Sequence, residues 1–219
     1  MQIKPLNQDE LGLLTLDATV IEQDYHGIKV MKLADGRFLK FFRRKRLFNR
    51  ELLAPAALTF ARHARELRKL KIPTLRVLSI HRLIGANYSV ALYEPLSGRP
   101  LRQLLAEGAV DRDLMYRVGV FIARLHRLGV LFRSLHPGNI VIDAGRVGLI
   151  DLLDMRLVPW SLSRWARRRN WRHFLRCPED RPHLKAELID ELLLGYRDAA
   201  DLPYREVVRV SGRVRARFW

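Results

Sequence analysis

FRSLHPGNIVI (residues 132–142) and GLIDLLD (residues 148–154) flank the short stretch Asp143-Ala144-Gly145-Arg146-Val147. Ile140-Val141-Ile142 is a β-branched run, and Asp143-Ala144-Gly145-Arg146 reads as a turn before a second apolar run. A hairpin-like loop is therefore predicted, opened by Pro137-Gly138-Asn139. Taken singly, these residues have plain readings. Pro137-Gly138-Asn139 suits a simple turn, and Asp151 suits a hairpin end or a helix cap.

Working outward, Leu114, Val118, Phe121, Leu125 and Leu128 recur at helical spacing before the loop and stop at Gly129. Beyond it, the chain from about Ser161 to Tyr196 reads as mostly helical. Its segment RWARRRNWRHFLR (164–176) interleaves Trp165, Trp171 and Phe174 with arginines. That pattern fits a helix with its aromatic residues in the core and arginines reaching outward, which is the plainer reading, or a membrane-surface or polyanion-binding face. RVRARFW at the end suggests an edge strand or a sticky tail.

Upstream, PLSGRPL (95–101) has the Pro, Ser and Gly content of an interlobe linker. TLRVLSIHRL and NYSVALYEPL before it read as strands turned at Gly85-Ala86-Asn87. Leu53, Ala57, Phe60, Ala64, Leu67 and Leu70 mark a helix ended by Pro73. Strands are expected around Val20, Val30 and Phe38, split by His26-Gly27 and by the hairpin signal Asp35-Gly36, with the charged run RRKR (43–46) after them. A small β-rich N-lobe (1–95) followed by a larger α-rich C-lobe (96–219) results, an α+β arrangement.

The chain has 219 residues, 48% hydrophobic and 29% charged, which suits a folded protein with a sizeable core. Forty Lys and Arg against twenty-three Asp and Glu leave a net charge of +17. Such a chain attracts polyanions, whether nucleic acid, anionic headgroups or a phosphorylated glycan. Cys177 is the single cysteine, so no intrachain disulfide forms and a reducing compartment is expected. MQIKPLNQDELGLL lacks the apolar core of a secretory signal, and no run is long enough to span a membrane. A cytoplasmic protein, peripheral on the inner membrane at most, is the expectation.

LHRLGVLFRSLHPGNIVI followed by GLIDLLD resembles the catalytic loop and metal-binding motif of protein-kinase-like proteins. It is most similar to the lipopolysaccharide core kinases and the toluene-tolerance-type family, over about Val20 to Asp180. The resemblance implies a bilobal kinase-like fold, ATP and Mg²⁺ as cofactors, and an acceptor hydroxyl on a lipopolysaccharide precursor or similar acidic glycolipid. Arg133 matches the motif Arg, Ser134 stands where the catalytic Asp is usual, Asn139 matches the metal-binding Asn, and Asp151 matches the Asp of Asp-Phe-Gly. An amide oxygen and a carboxylate are hard donors that suit Mg²⁺. RFLKFF supplies Lys40 as the implied phosphate-contacting Lys, and backbone groups near Glu94 and Leu96 stand at the implied adenine hinge.

The departures are specific. Only Gly27 remains where a Gly-rich loop is expected, Leu152-Leu153 replaces Phe-Gly, and His63 falls where the resemblance puts a Glu pairing with Lys40. Glu66 and Glu51 are the substitutes. Ser134 is too weak an acid–base group to replace a carboxylate, so Asp154 and His136 are the candidates for that role, although each also suits a plain surface or hydrogen-bonding position. The leading expectation is an ATP-dependent phosphotransferase slowed by Ser134. A pseudokinase that regulates or scaffolds is the alternative. A nucleic-acid binder rests on charge alone, with no recognisable motif beside it.

Overall fold

A computed structural model describes residues 2–43, 55–200, 202, 203, 205 and 209. It separates into two units, Met1–Leu96 and Ser97–Trp219. Leu53, Glu51, most of RRKR and the RVRARFW tail lie outside the described residues.

In the first unit, β1 (Ile3–Leu6), β2 (Thr19–Asp24), β3 (Gly27–Lys32), β4 (Phe38–Arg43), β5 (Arg76–Leu83) and β6 (Tyr88–Glu94) form one sheet in the order β1-β5-β6-β4-β3-β2. β1 pairs parallel with β5, and every other pairing is antiparallel. The β3–β4 hairpin closes as its Asp-Gly signal predicts: Asp35 Oδ1 accepts from the Arg37 amide at 2.9 Å, and Gly36 adopts φ +84°. Alternation along β4 sends Leu39 to one face. There it packs with Leu6, Leu33, Leu83, Val90 and Leu92 against Leu11 and Leu14 of α1 (Gln8–Leu14). Phe38, Lys40 and Phe42 take the other face, where Phe42 and Tyr93 meet Phe60 of α2 (Ala56–Lys69) at ring distances of 5.5 and 5.8 Å.

α2 stops before Pro73. Lys71 takes φ +55°, its amide donates to Arg68 at 3.0 Å, and the Ile72 amide donates to Leu67 at 2.9 Å. That pair of bonds is a Schellman ending, so the backbone itself terminates the helix four residues before the proline.

The second unit is mainly helical. α3 (Leu101–Ala106), α4 (Arg112–Arg127), α5 (Arg164–Phe174) and α6 (Ala186–Ala199) surround three short pairings. β7 (Arg99–Pro100) pairs with β9 (Ile140–Asp143), β9 pairs with β10 (Arg146–Leu149), and β8 (Val130–Phe132) pairs with β11 (Met155–Leu157). Asp111 caps α4 by accepting from the Leu114 amide at 2.7 Å, and Gly129 ends it at φ +74°. α4 lies against α6 at two glycines. A Cβ on Gly119 would stand 2.0 Å from the Leu192 carbonyl oxygen, and one on Gly195 would stand 2.0 Å from that of Tyr116.

Candidate functional site

The β9–β10 hairpin brings two of the predicted residues to its open end, Asn139 just before β9 and Asp151 just after β10. Ile140 faces Leu149, and the ladder continues one step as the Ile150 amide donates to the Asn139 carbonyl at 3.1 Å. Asp151 therefore follows immediately on the residue bonded to Asn139. The tip turns on Ala144 and Gly145, both at positive φ, as a two-residue type I′ connection requires.

Asn139 is buried, and its amide nitrogen is committed. Nδ2 donates to the Ser134 carbonyl at 2.9 Å and faces His136 Nε2 at 3.2 Å. Oδ1 accepts no hydrogen bond among the described residues, so the metal-capable atom is the one left available. Asp151 is exposed and holds φ +53°, a left-handed backbone costly for a residue with a Cβ. Leu152 beside it is fully buried and pins that conformation. An amide oxygen with a carboxylate is a donor set that fits Mg²⁺.

Ser134 is half-buried, two residues beyond β8, and both proposed replacements for its missing carboxylate are engaged. Met155 faces Phe132, the Arg133 amide donates to the Asp154 carbonyl at 2.9 Å, and the Arg133 guanidinium is ion-paired with the Asp154 carboxylate. Both partners are more than two-fifths exposed, so the pair adds little stability.

His136 sits in a deeper network. Because Asn139 Nδ2 must donate, His136 Nε2 accepts and the ring proton belongs on Nδ1. Arg102 approaches Nδ1 at 3.4 Å; with a proton there, this is a contact of charge with ring rather than a hydrogen bond. Burial first, then the positive charges of Arg102 and Arg176, pushes the His136 pKa down and keeps the ring neutral. Arg102 is itself held by both oxygens of Asp180, at 2.6 and 2.9 Å, and by Glu179 at 3.2 Å. Asp180 is only 2% exposed. His136, Cys177 and Asp180 bring ligand-type atoms within 4.8 Å of one another. The guanidinium bonded to both Asp180 oxygens makes this a brace rather than a cation site.

A second buried network anchors β8. Asn170 of α5 donates to the Phe132 carbonyl and accepts from His126 Nε2 at 3.2 Å, and the Tyr196 hydroxyl lies 3.0 Å from His126 Nδ1. Arg167, with no exposed surface, donates to the Leu162 carbonyl at 2.9 Å and to the Ser161 hydroxyl at 2.6 Å. Arg102, Asp180, His126, Asn170 and Arg167 are absent from the sequence-predicted set. Sequence separations of 44 for His126–Asn170 and 78 for Arg102–Asp180 leave no local signal.

In the first unit, Lys40 is half-buried on β4, with Nζ 5.6 Å from the centre of the Phe60 ring. His63 is buried on α2, whereas Glu66 turns its carboxylate to Lys69 at 3.0 Å and Arg65 at 3.4 Å. Glu94, at the end of β6, is gripped by Arg76 in a two-pronged ion pair, and Leu96 follows two residues later. Gly27, at φ +121°, is the single glycine of the β2–β3 turn.

No protein-family model and no curated protein matches the chain. Solved structures do match, 1115 chains of them. One, described as WaaP in complex with acyl carrier protein, is 16% identical, covers 90% of this chain and 84% of that chain, and superimposes with a TM-score of 0.55. At that identity the likeness shows the fold. The chain has a protein-kinase-like fold, with a β-sheet N-lobe and a mainly helical C-lobe.

Proposed function

We propose that the protein binds Mg²⁺-ATP and transfers its terminal phosphoryl group to an alcohol acceptor, slowly because Ser134 stands in place of a carboxylate. The observation that carries this reading is the Asn139–Asp151 arrangement. Asn139 has its amide nitrogen locked and its oxygen available, and Asp151, next in the chain to the residue whose amide bonds Asn139, carries a carboxylate in a strained backbone conformation. Asn139 Oδ1 and Asp151 would hold the ion, which when bound neutralises charge on the nucleotide phosphates. His136 positions Asn139 through its Nε2 lone pair. The resemblance adds Lys40 as a phosphate-contacting ammonium, the backbone at Glu94 and Leu96 for adenine, and a sugar hydroxyl of an acidic glycolipid as acceptor. A site of action at the cytoplasmic face of a membrane is part of the same reading. No helix among the described residues is long and apolar enough to cross one.

The pseudokinase reading is favoured by a separate observation. Asp154 is ion-paired with Arg133, and the His136 Nε2 lone pair is occupied by Asn139, so neither candidate is poised to take a proton. A general base in place contributes roughly 10²–10⁴-fold. Transfer from terminally labelled ATP to a glycolipid acceptor pool separates the two. A slow Mg²⁺-dependent transfer in the wild type, abolished in Asn139→Ala and raised about tenfold or more in Ser134→Asp, is the enzyme result. Nucleotide binding without transfer in either the wild type or Ser134→Asp is the pseudokinase result.

A further inference from the structure

The outer face of α5 holds arginines without counterions among the described residues. Arg167, Asn170, Trp171 and Phe174 turn into the core, so the opposite stripe carries Trp165, Arg169 and Arg172, continued past the helix end by Arg176 and flanked by Arg168. Among the described residues, none of Arg168, Arg169, Arg172 and Arg176 has a carboxylate at ion-pair distance. Several arginines elsewhere do, with Arg37, Arg76, Arg99, Arg112 and Arg146 each meeting an Asp or Glu; single exposed arginines such as Arg62 and Arg127 do not, but α5 gathers four such residues on one face. Like charges three and four residues apart on a helix repel, so an anionic surface over this stripe relieves a standing repulsion.

Two indoles lie beside the charges. Trp165 is 56% exposed and Trp160, just before the helix, is 67% exposed. Arg169 stacks its guanidinium over the Trp165 ring at 5.3 Å. Trp is ordinarily well buried, and an exposed indole among basic residues favours the headgroup level of a bilayer, where an apolar ring and a polar N–H are both accommodated.

We propose that this face of α5 docks on an anionic phospholipid bilayer at headgroup depth, through Arg168, Arg169, Arg172 and Arg176 with Trp160 and Trp165. The proposal rests on the membrane part of the proposed function and is independent of phosphoryl transfer.

The test is flotation of the full chain, without nucleotide, on vesicles of phosphatidylcholine alone and of phosphatidylcholine mixed with phosphatidylglycerol. Binding to the mixed vesicles only, lost as salt is raised, is expected. Each arginine near the surface contributes roughly a fivefold factor, so Arg169→Ala/Arg172→Ala weakens binding about twenty-five-fold. The charge-matched control Arg62→Ala/Arg127→Ala, on other exposed sites, changes it by about twofold or less. Tryptophan emission shifts to the blue on the mixed vesicles, and Trp160→Phe/Trp165→Phe removes the shift. Equal losses in both arginine pairs, no binding to the mixed vesicles, or binding of a single-stranded oligonucleotide with the vesicles ignored would each overturn the proposal. The wild-type vesicle and emission measurements need no variant to fold. Mg²⁺-ATP binding, measured apart from the vesicles, reports separately on the nucleotide site.

Discussion

His126 lies wholly inside the C-lobe, hydrogen-bonded to Asn170 and Tyr196. Burial, reinforced by the Arg167 charge, holds its pKa down to about 3. In the unfolded chain an ordinary imidazole takes its proton near pH 6.5. The unfolded state thus binds the proton more readily, so this contribution is complete above about pH 6.5 and is lost as pH falls toward about 3, at up to about 1.4 kcal/mol per pH unit. Burial lowers the pKa values of His81, His136 and His173 as well, and each adds in the same direction. Denaturant melts between about pH 7 and pH 4.5 should show wild-type stability falling more steeply than that of His126→Gln; parallel slopes would contradict the assignment. The Arg102–Asp180 pair carries a second expectation. Arg102→Ala leaves a buried carboxylate unpaired and costs about 3–5 kcal/mol, read in the same melts, whereas a loss below about 1 kcal/mol would show that Asp180 finds another partner. Asn139 and Asp151 were legible in the sequence because the hairpin that joins them is local. Asp180 and Arg167 were not. In a chain with forty basic residues, a buried arginine looks like any solvated one, and nothing nearby marks its acceptors.

α4 and α6 cross where Gly119 and Gly195 leave no side chain, so the backbone of each helix fills the space a Cβ would need. Gly119→Ala would push against the Leu192 carbonyl, which cannot yield without moving α6. An overpacking cost of about 2–3 kcal/mol is expected, lowering the C-lobe melting temperature by roughly 4–12 °C in calorimetry. An unchanged transition would mean that the helices separate freely. Apolar spacing of three and four exposed α2 and α4 to sequence reading, and Asp-Gly exposed the β3–β4 hairpin. β1 and α1 escaped because they are short, although Asn7 and Glu10 form a capping box whose Asn-x-x-Glu spacing was available as a signal. PLSGRPL contains the boundary between the units, yet its second half is tied down. Arg99 and Pro100 pair with β9, and Gly98, at φ +112°, passes so near the Ile142 carbonyl that a Cβ would come within 2.2 Å. The Arg-aromatic helix divides its residues as two of its readings allowed: Trp171 and Phe174 are core, and Trp165 is surface.

For the molecule as a whole, a net charge of +17 announces an anionic partner without locating it. Where the charge is unpaired depends on which acids reach which arginines, and that is set by the tertiary fold. The order of strands, helix, strands and helices was readable and agrees with the kinase-like fold shared with WaaP, while 16% identity carries no activity across. What the chain does therefore turns on whether Asn139 and Asp151 take a divalent ion together with a nucleotide. Titration calorimetry of ATP against the full chain, with Mg²⁺ and with Mg²⁺ chelated, measures this directly in the wild type and in Asp151→Ala. The account predicts binding in the wild type that requires Mg²⁺ and weakens roughly tenfold or more in the variant. Affinity that is indifferent both to Mg²⁺ and to the loss of the Asp151 carboxylate would contradict it.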